Sequence, residues 1–165
     1  MPIMRNTTLI IMMLLSLTNK AQHLNDTEYF TMALSVDPYA TIKEGLINAN
    51  AEIEYVGTIY AKLGIETHTG LELNYLDVHA ATGLNLMLNR FDEYRAYAGV
   101  RFGRIWREDK ARVPFVGFES GLDVNVSDSF LIGLRATYDH RTEGDLLGYD
   151  RFWRYSGYVR IGIRF

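Results

Sequence analysis

Trp153-Arg154-Tyr155-Ser156-Gly157-Tyr158-Val159-Arg160-Ile161-Gly162-Ile163-Arg164-Phe165 alternates strictly between two kinds of side chain. One set is Trp153, Tyr155, Gly157, Val159, Ile161, Ile163 and Phe165. The other is Arg154, Ser156, Tyr158, Arg160, Gly162 and Arg164. Successive side chains of a strand point to opposite faces, so this segment predicts a ribbon that is apolar on one side and cationic on the other.

Working outward, the same period of two recurs along the chain. It predicts strands over 29–43, 47–56, 58–67, 75–88, 93–106, 112–126, 129–140 and 151–165. The first is interrupted by Asp37-Pro38. Proline removes a ladder donor, so this strand either begins near Tyr39 or carries a bulge there. Connections after the second, fourth and sixth strands are tight; those after the first, third, fifth and seventh are mostly longer and polar. That parity, with an even strand count, predicts an all-β, eight-stranded antiparallel up-and-down barrel with short turns at one end.

Composition narrows the function. The chain has 165 residues, enough for one domain, and a net charge of -3. With a pI near 5.8 it offers no basic surface for nucleic acid. Cysteine is absent, which excludes disulfides, thiol catalysis and cysteine-held metals. Aromatic residues reach 13%, with 11 Tyr, and there are 14 Gly. This suits many strands joined by turns, with aromatic residues at interfaces. Mean hydropathy is -0.07. A helical membrane protein would be far more apolar, whereas a transmembrane barrel shows lipid only alternate residues.

Residues 1–21 read as a signal peptide: Arg5, a short apolar core from Leu9 to Leu17, and Ala21 before the expected cut. The core is too short to span a bilayer, which takes about 20 residues. Asn19 departs from the small residue usual at that place. A retained N-terminal anchor helix is the alternative. The Ala21-Gln22 junction resembles export signals of the Bacteroidetes group. A short segment, 22–28, then leads into the barrel domain, 29–165.

Alternation alone does not say which face points inward. A secreted soluble barrel of the lipocalin kind, carrying a small apolar ligand, would enclose the apolar face. A membrane barrel encloses the charged one. The export signal, the aromatic residues near strand ends (Tyr94, Trp106, Tyr138, Trp153, Tyr155, Phe165) and the many glycines on the polar face favour the membrane sense. Val159, Ile161, Ile163 and terminal Phe165 resemble the signature read by the outer-membrane assembly machinery. From about Asp26 to Phe165 the chain resembles the small eight-stranded outer-membrane barrels, the OmpA transmembrane domain and OmpX type.

That resemblance implies a place in the outer membrane and contact with its lipids and lipopolysaccharide. It also implies delivery by periplasmic chaperones to the assembly machinery. A structural or surface-interaction role through outer loops, as a monomer, is the expectation. An eight-stranded barrel is just wide enough for its own side chains. Buried charges must pair, so Arg95, Arg101, Arg135 and Arg160 are expected to face Glu52, Glu54, Glu119 and Asp123, with Lys62 sharing. Such a lattice fills the lumen and leaves no open pore.

Signals for chemistry are weak. His140, Thr142 and Glu143 faintly resemble the lipid A deacylases, small barrels with a lipid-facing His-x-Ser pair and a nearby Glu. Here Thr replaces Ser, and a polar headgroup belt is the simpler reading. Asp77 and His79 share the polar face and read as a structural pair. His68 falls in the expected second outer loop. Asp145–Asp150 reads as a solvated loop that could hold a cation. Arg104, Arg107, Lys110 and Arg112 flank the lipid band and could meet lipopolysaccharide phosphates; Arg90 sits at a turn. No cofactor or metal is expected.

Overall fold

The structure, a computed structural model, describes residues 28–69, 75–88, 93–107, 110–141 and 153–165. Eight strands follow one another: β1 (Tyr29–Val36), β2 (Ile47–Val56), β3 (Ile59–Thr69), β4 (Tyr75–Met87), β5 (Tyr94–Arg107), β6 (Lys110–Ser127), β7 (Phe130–Arg141) and β8 (Trp153–Arg164). Each pairs antiparallel with the next, and β1 pairs with β8 to close the barrel. Closure leaves few strand edges to manage.

Seven strands lie within about two residues of their expected bounds. The first does not. The expected strand over 29–43 divides into β1 and a short helix, α1 (Pro38–Glu44). Proline decides this through ladder parity. In β1, Phe30 N donates to Phe165 O at 3.0 Å and Phe30 O accepts from Phe165 N at 2.9 Å, so even-numbered residues address β8. Asp37 N, of odd number, donates to Asn48 O of β2 at 3.1 Å. The β1–β8 register ends at Val36↔Val159. One rung further, Pro38 would oppose Gly157 with no N–H to give.

The same proline suits the first turn of a helix, where its N–H has no partner to lose. Asp37 caps that turn: its carboxylate accepts from Tyr39 N at 2.9 Å and Ala40 N at 3.1 Å. Gly45, left-handed at φ 68°, ends it. The helix packs against both β2 and β8. It therefore stands in the wall where the upper part of β1 would have been. Ala40 is buried, while Tyr39, Ile42 and Lys43 are exposed.

The two faces sort clearly by character, with few exceptions such as outward Arg104 and inward Ile105 and Leu131. Leu34, Leu63, Ile65, Phe102, Phe118, Leu134, Ile161 and Ile163 point outward and are exposed. Arg95, Arg101 and Arg160 point inward with 0% exposure. A soluble carrier of apolar ligands would need the reverse, so that reading is overturned. The protein is an eight-stranded antiparallel transmembrane β-barrel with a charged, filled interior. No helix among the described residues is long and apolar enough to cross a membrane; the crossing belongs to the strands.

Candidate functional site in the barrel lumen

Register brings the inward charges into two groups along the barrel axis. In the first, Arg95 of β5 grips Glu54 of β2 through both guanidinium nitrogens and reaches Asp123 of β6 at 3.2 Å. Arg160 of β8 contacts Glu52 at 2.9 Å, Glu54 at 3.0 Å and Asp123 at 3.2 Å. Arg135 of β7 binds Glu52. Lys62 of β3 lies 3.0 Å from Glu119 and 3.7 Å from Glu52. Four cations thus meet four carboxylates, all with fully buried side chains.

Tyrosines complete this group. Tyr60 donates its hydroxyl to Glu119 at 2.9 Å, and Arg160 donates to the Tyr97 hydroxyl at 3.1 Å. The Tyr97 ring also lies under the Arg95 and Lys62 charges, at 4.5 and 4.8 Å from its centroid. Glycine makes the room. A side chain at Gly121 would collide with the Tyr97 ring, which occupies the space beside that bare backbone.

Arg101 departs from the pairing expected of it. It sits in the second group, toward the outer-loop end, 3.1 Å from Asp139 and 3.8 Å from both Glu66 and Asp77. Arg141 joins it there, bonding the Tyr75 hydroxyl at 2.8 Å and approaching Asp139 at 3.8 Å. Asp77 lies 3.1 Å from His79, and Glu66 lies 3.4 Å from His68. His68 is therefore inward on β3 and buried, not in a loop. Glu66 also accepts from Asn48 and from the Tyr158 hydroxyl, each at 3.0 Å. Arg141 escaped notice because the alternation of β7 runs one residue further than expected; period two alone would have placed it inside.

The groups are built to hold one another. Cations are matched to carboxylates across the lumen, and no set of three or more His, Asp or Glu among the described residues is arranged for a metal ion.

On the outer wall, Tyr138 stacks between Trp153 at 4.4 Å and Tyr155 at 4.2 Å. His140 faces the same way, its ring edge-on to Trp153 at 4.7 Å. Thr142, Glu143, Arg90 and the Asp145–Asp150 run lie outside the described residues, as do residues 1–21, expected as a signal peptide, and the side chains of Lys110 and Arg112. Arg104 is outward and exposed. Val159, Ile161, Ile163 and Phe165 all face outward, and Phe165 stacks on Phe30 at 6.2 Å.

No known family and no curated protein matches the chain. Solved structures do. Neisserial surface protein A (NspA) aligns with a TM-score of 0.53 at 9% identity, over 83% of this chain and 95% of that one. A de novo designed transmembrane β-barrel aligns at 0.48 and 13% identity, over 83% and 93%. A second design, TMB2.3, aligns at 0.46 and 16%, over 84% and 92%. The likeness to NspA is one of fold: this chain winds as that small outer-membrane barrel does.

Proposed function

We propose that the chain is an integral outer-membrane protein, exported by a signal peptide cleaved after Ala21. Its role is structural or surface-interacting, exercised through the outer loops, without an open pore or enzymatic activity. The observation that carries this is the inversion of the wall: apolar side chains outside, and a lattice of Glu52, Glu54, Lys62, Arg95, Arg101, Glu119, Asp123, Arg135 and Arg160 sealed within. A paired lattice of this kind holds the wall at fixed radius and leaves no through-path for ions. Rigid scaffolds of this sort place recognition on their loops. Outer-membrane lipids, lipopolysaccharide, periplasmic chaperones and the assembly machinery, read through Val159, Ile161, Ile163 and Phe165, are its partners, and the working unit is a monomer.

The experiment is refolding into detergent micelles followed by gel electrophoresis with and without boiling, with the folded protein then added to planar bilayers. A heat-modifiable band with silent bilayers is expected. A protein that stays soluble without detergent overturns the membrane assignment. Stable conductance steps overturn the sealed lumen.

A further inference from the structure

β1 differs from the rest of the wall in what it carries inside. Every other strand turns at least one buried charge into the lumen, from Glu52 on β2 to Arg160 on β8. β1 turns in Tyr29, Thr31, Ala33 and Ser35, none of them charged. Thr31 Oγ1 has no hydrogen-bond partner. Ser35 accepts one bond, from Arg135 at 3.4 Å.

The charge lattice closes over β1 and not through it. Arg160 of β8 reaches past β1 to Glu52 and Glu54 of β2, at 2.9 and 3.0 Å. Tyr158 of β8 donates to Glu66 of β3 at 3.0 Å and accepts from Asn48 of β2 at 3.4 Å. Arg135 of β7 crosses both β8 and β1 to bind Glu52. Side chains therefore tie the two neighbours of β1 to each other, and β1 lies beneath those ties with small side chains.

The backbone hold on β1 is also the shortest. It has 8 residues, fewer than any other strand. Its register with β8 runs from Thr31↔Arg164 to Val36↔Val159, over fewer rungs than any other seam among the described residues. Asp37 and Pro38 then turn the chain into α1, which packs on β2 and β8. Removing any other strand pulls one partner from a buried ion pair, which leaves a charge uncompensated. Removing β1 breaks ladder bonds and leaves every ion pair made.

We propose that the seat between β2 and β8 is a strand-exchange site, which β1 can leave and an extended strand from a partner can enter. The partner strand is apolar on its outer face, as Phe30, Met32, Leu34 and Val36 are, and small and uncharged on its inner face. Ladder hydrogen bonds hold such a strand, and its alternate side chains select it. Hydrocarbon does not tolerate an open edge, so the seat is refilled by β1 or by its substitute. The inference rests on the fold and not on the role proposed above.

The test uses the full chain refolded in detergent micelles. In residue-resolved hydrogen exchange, the amides of β1 exchange as one set, roughly tenfold or more faster than those of the β4–β5 seam. A peptide of residues 28–37 bearing a photo-crosslinker is captured on β2 and β8, and unlabelled peptide competes with it. The same peptide with Ser35→Arg is not captured, because Arg135 and Arg160 cover that place.

A lock supplies the control. Ala33 and Gly162 are register partners, and a Cβ at Gly162 would stand 3.1 Å from that of Ala33. That is near the spacing a disulfide spans. In the Ala33→Cys, Gly162→Cys double variant, oxidation stops both the fast exchange and the capture, and reduction restores them. β1 amides that exchange only with the whole barrel overturn the proposal, and that measurement needs no variant. So does fast opening without capture, capture by the oxidised barrel, equal capture of the Ser35→Arg peptide, or crosslinks that fall on β4 to β6.

Discussion

Arg95 and Glu54 join β5 to β2 straight across the lumen, a fork of two guanidinium nitrogens on one carboxylate between strands that are not neighbours. Arg95 also donates from Nε to Asn85 of β4 at 2.9 Å. Removing one partner of a buried pair leaves the other charge uncompensated, a loss of about 3–5 kcal/mol. Arg95→Ala should therefore lower unfolding free energy in lipid vesicles by that order. Arg95→Met combined with Glu54→Met should cost less than the two single changes added together. Urea titration followed by tryptophan fluorescence measures both, and strict additivity would count against the pair.

Leu63 and Leu134 face outward on strands at different sides of the wall and are each about three-fifths exposed. An arginine on a lipid-facing position costs about 2–4 kcal/mol near the midplane. Leu63→Arg and Leu134→Arg should each reduce insertion into vesicles. Wild-type yields from both variants would contradict the outward assignment.

Gly121 and Gly157 make a matched pair. A methyl group at Gly121 strikes the Tyr97 ring, and one at Gly157 meets nothing. Gly121→Ala should destabilise by about 1–3 kcal/mol through overpacking. Gly157→Ala should be neutral or slightly stabilising, since alanine fixes the chain better than glycine. Equal effects in denaturant titrations would refute the idea that Tyr97 needs a bare backbone beside it.

Asp37 holds the turn where β1 becomes α1. Asp37→Ala removes both cap bonds and should cost about 0.5–2 kcal/mol. Asp37→Asn, which keeps an acceptor oxygen, should recover most of it. If both variants unfold alike in the same titration, the cap is not what fixes α1.

Much of this architecture is legible in the chain. The alternation of Ile47 to Val56 gives β2 to the residue, because Gly45 and Gly57 flank a run with no conflicting signal. Pro38 announces a disturbance but not its outcome. A bulge, a late start and a helix all relieve a missing donor, and the choice turns on the Asp37 cap and Gly45 acting together. Inward residues follow from parity; their partners do not. Arg101 and Arg95 look equivalent in sequence, yet six residues along a tilted strand carry Arg101 to the other charge group. Pairing across a lumen depends on how strands stagger around the closed sheet, which no single strand encodes.

The distribution of charge around the wall has a consequence for assembly. Strands β2 to β4 bring Glu52, Glu54, Glu66 and Asp77 to the interior against Lys62, while β5 to β8 bring Arg95, Arg101, Arg135, Arg141 and Arg160 against Glu119, Asp123 and Asp139. A nascent sheet holding only the N-terminal strands would show lipid a surplus of anions, and one holding only the C-terminal strands a surplus of cations. Near-balance arrives when the halves meet. Stepwise entry, hairpin by hairpin, is therefore the costly route, and the last strand to join completes the charge balance as well as the ring.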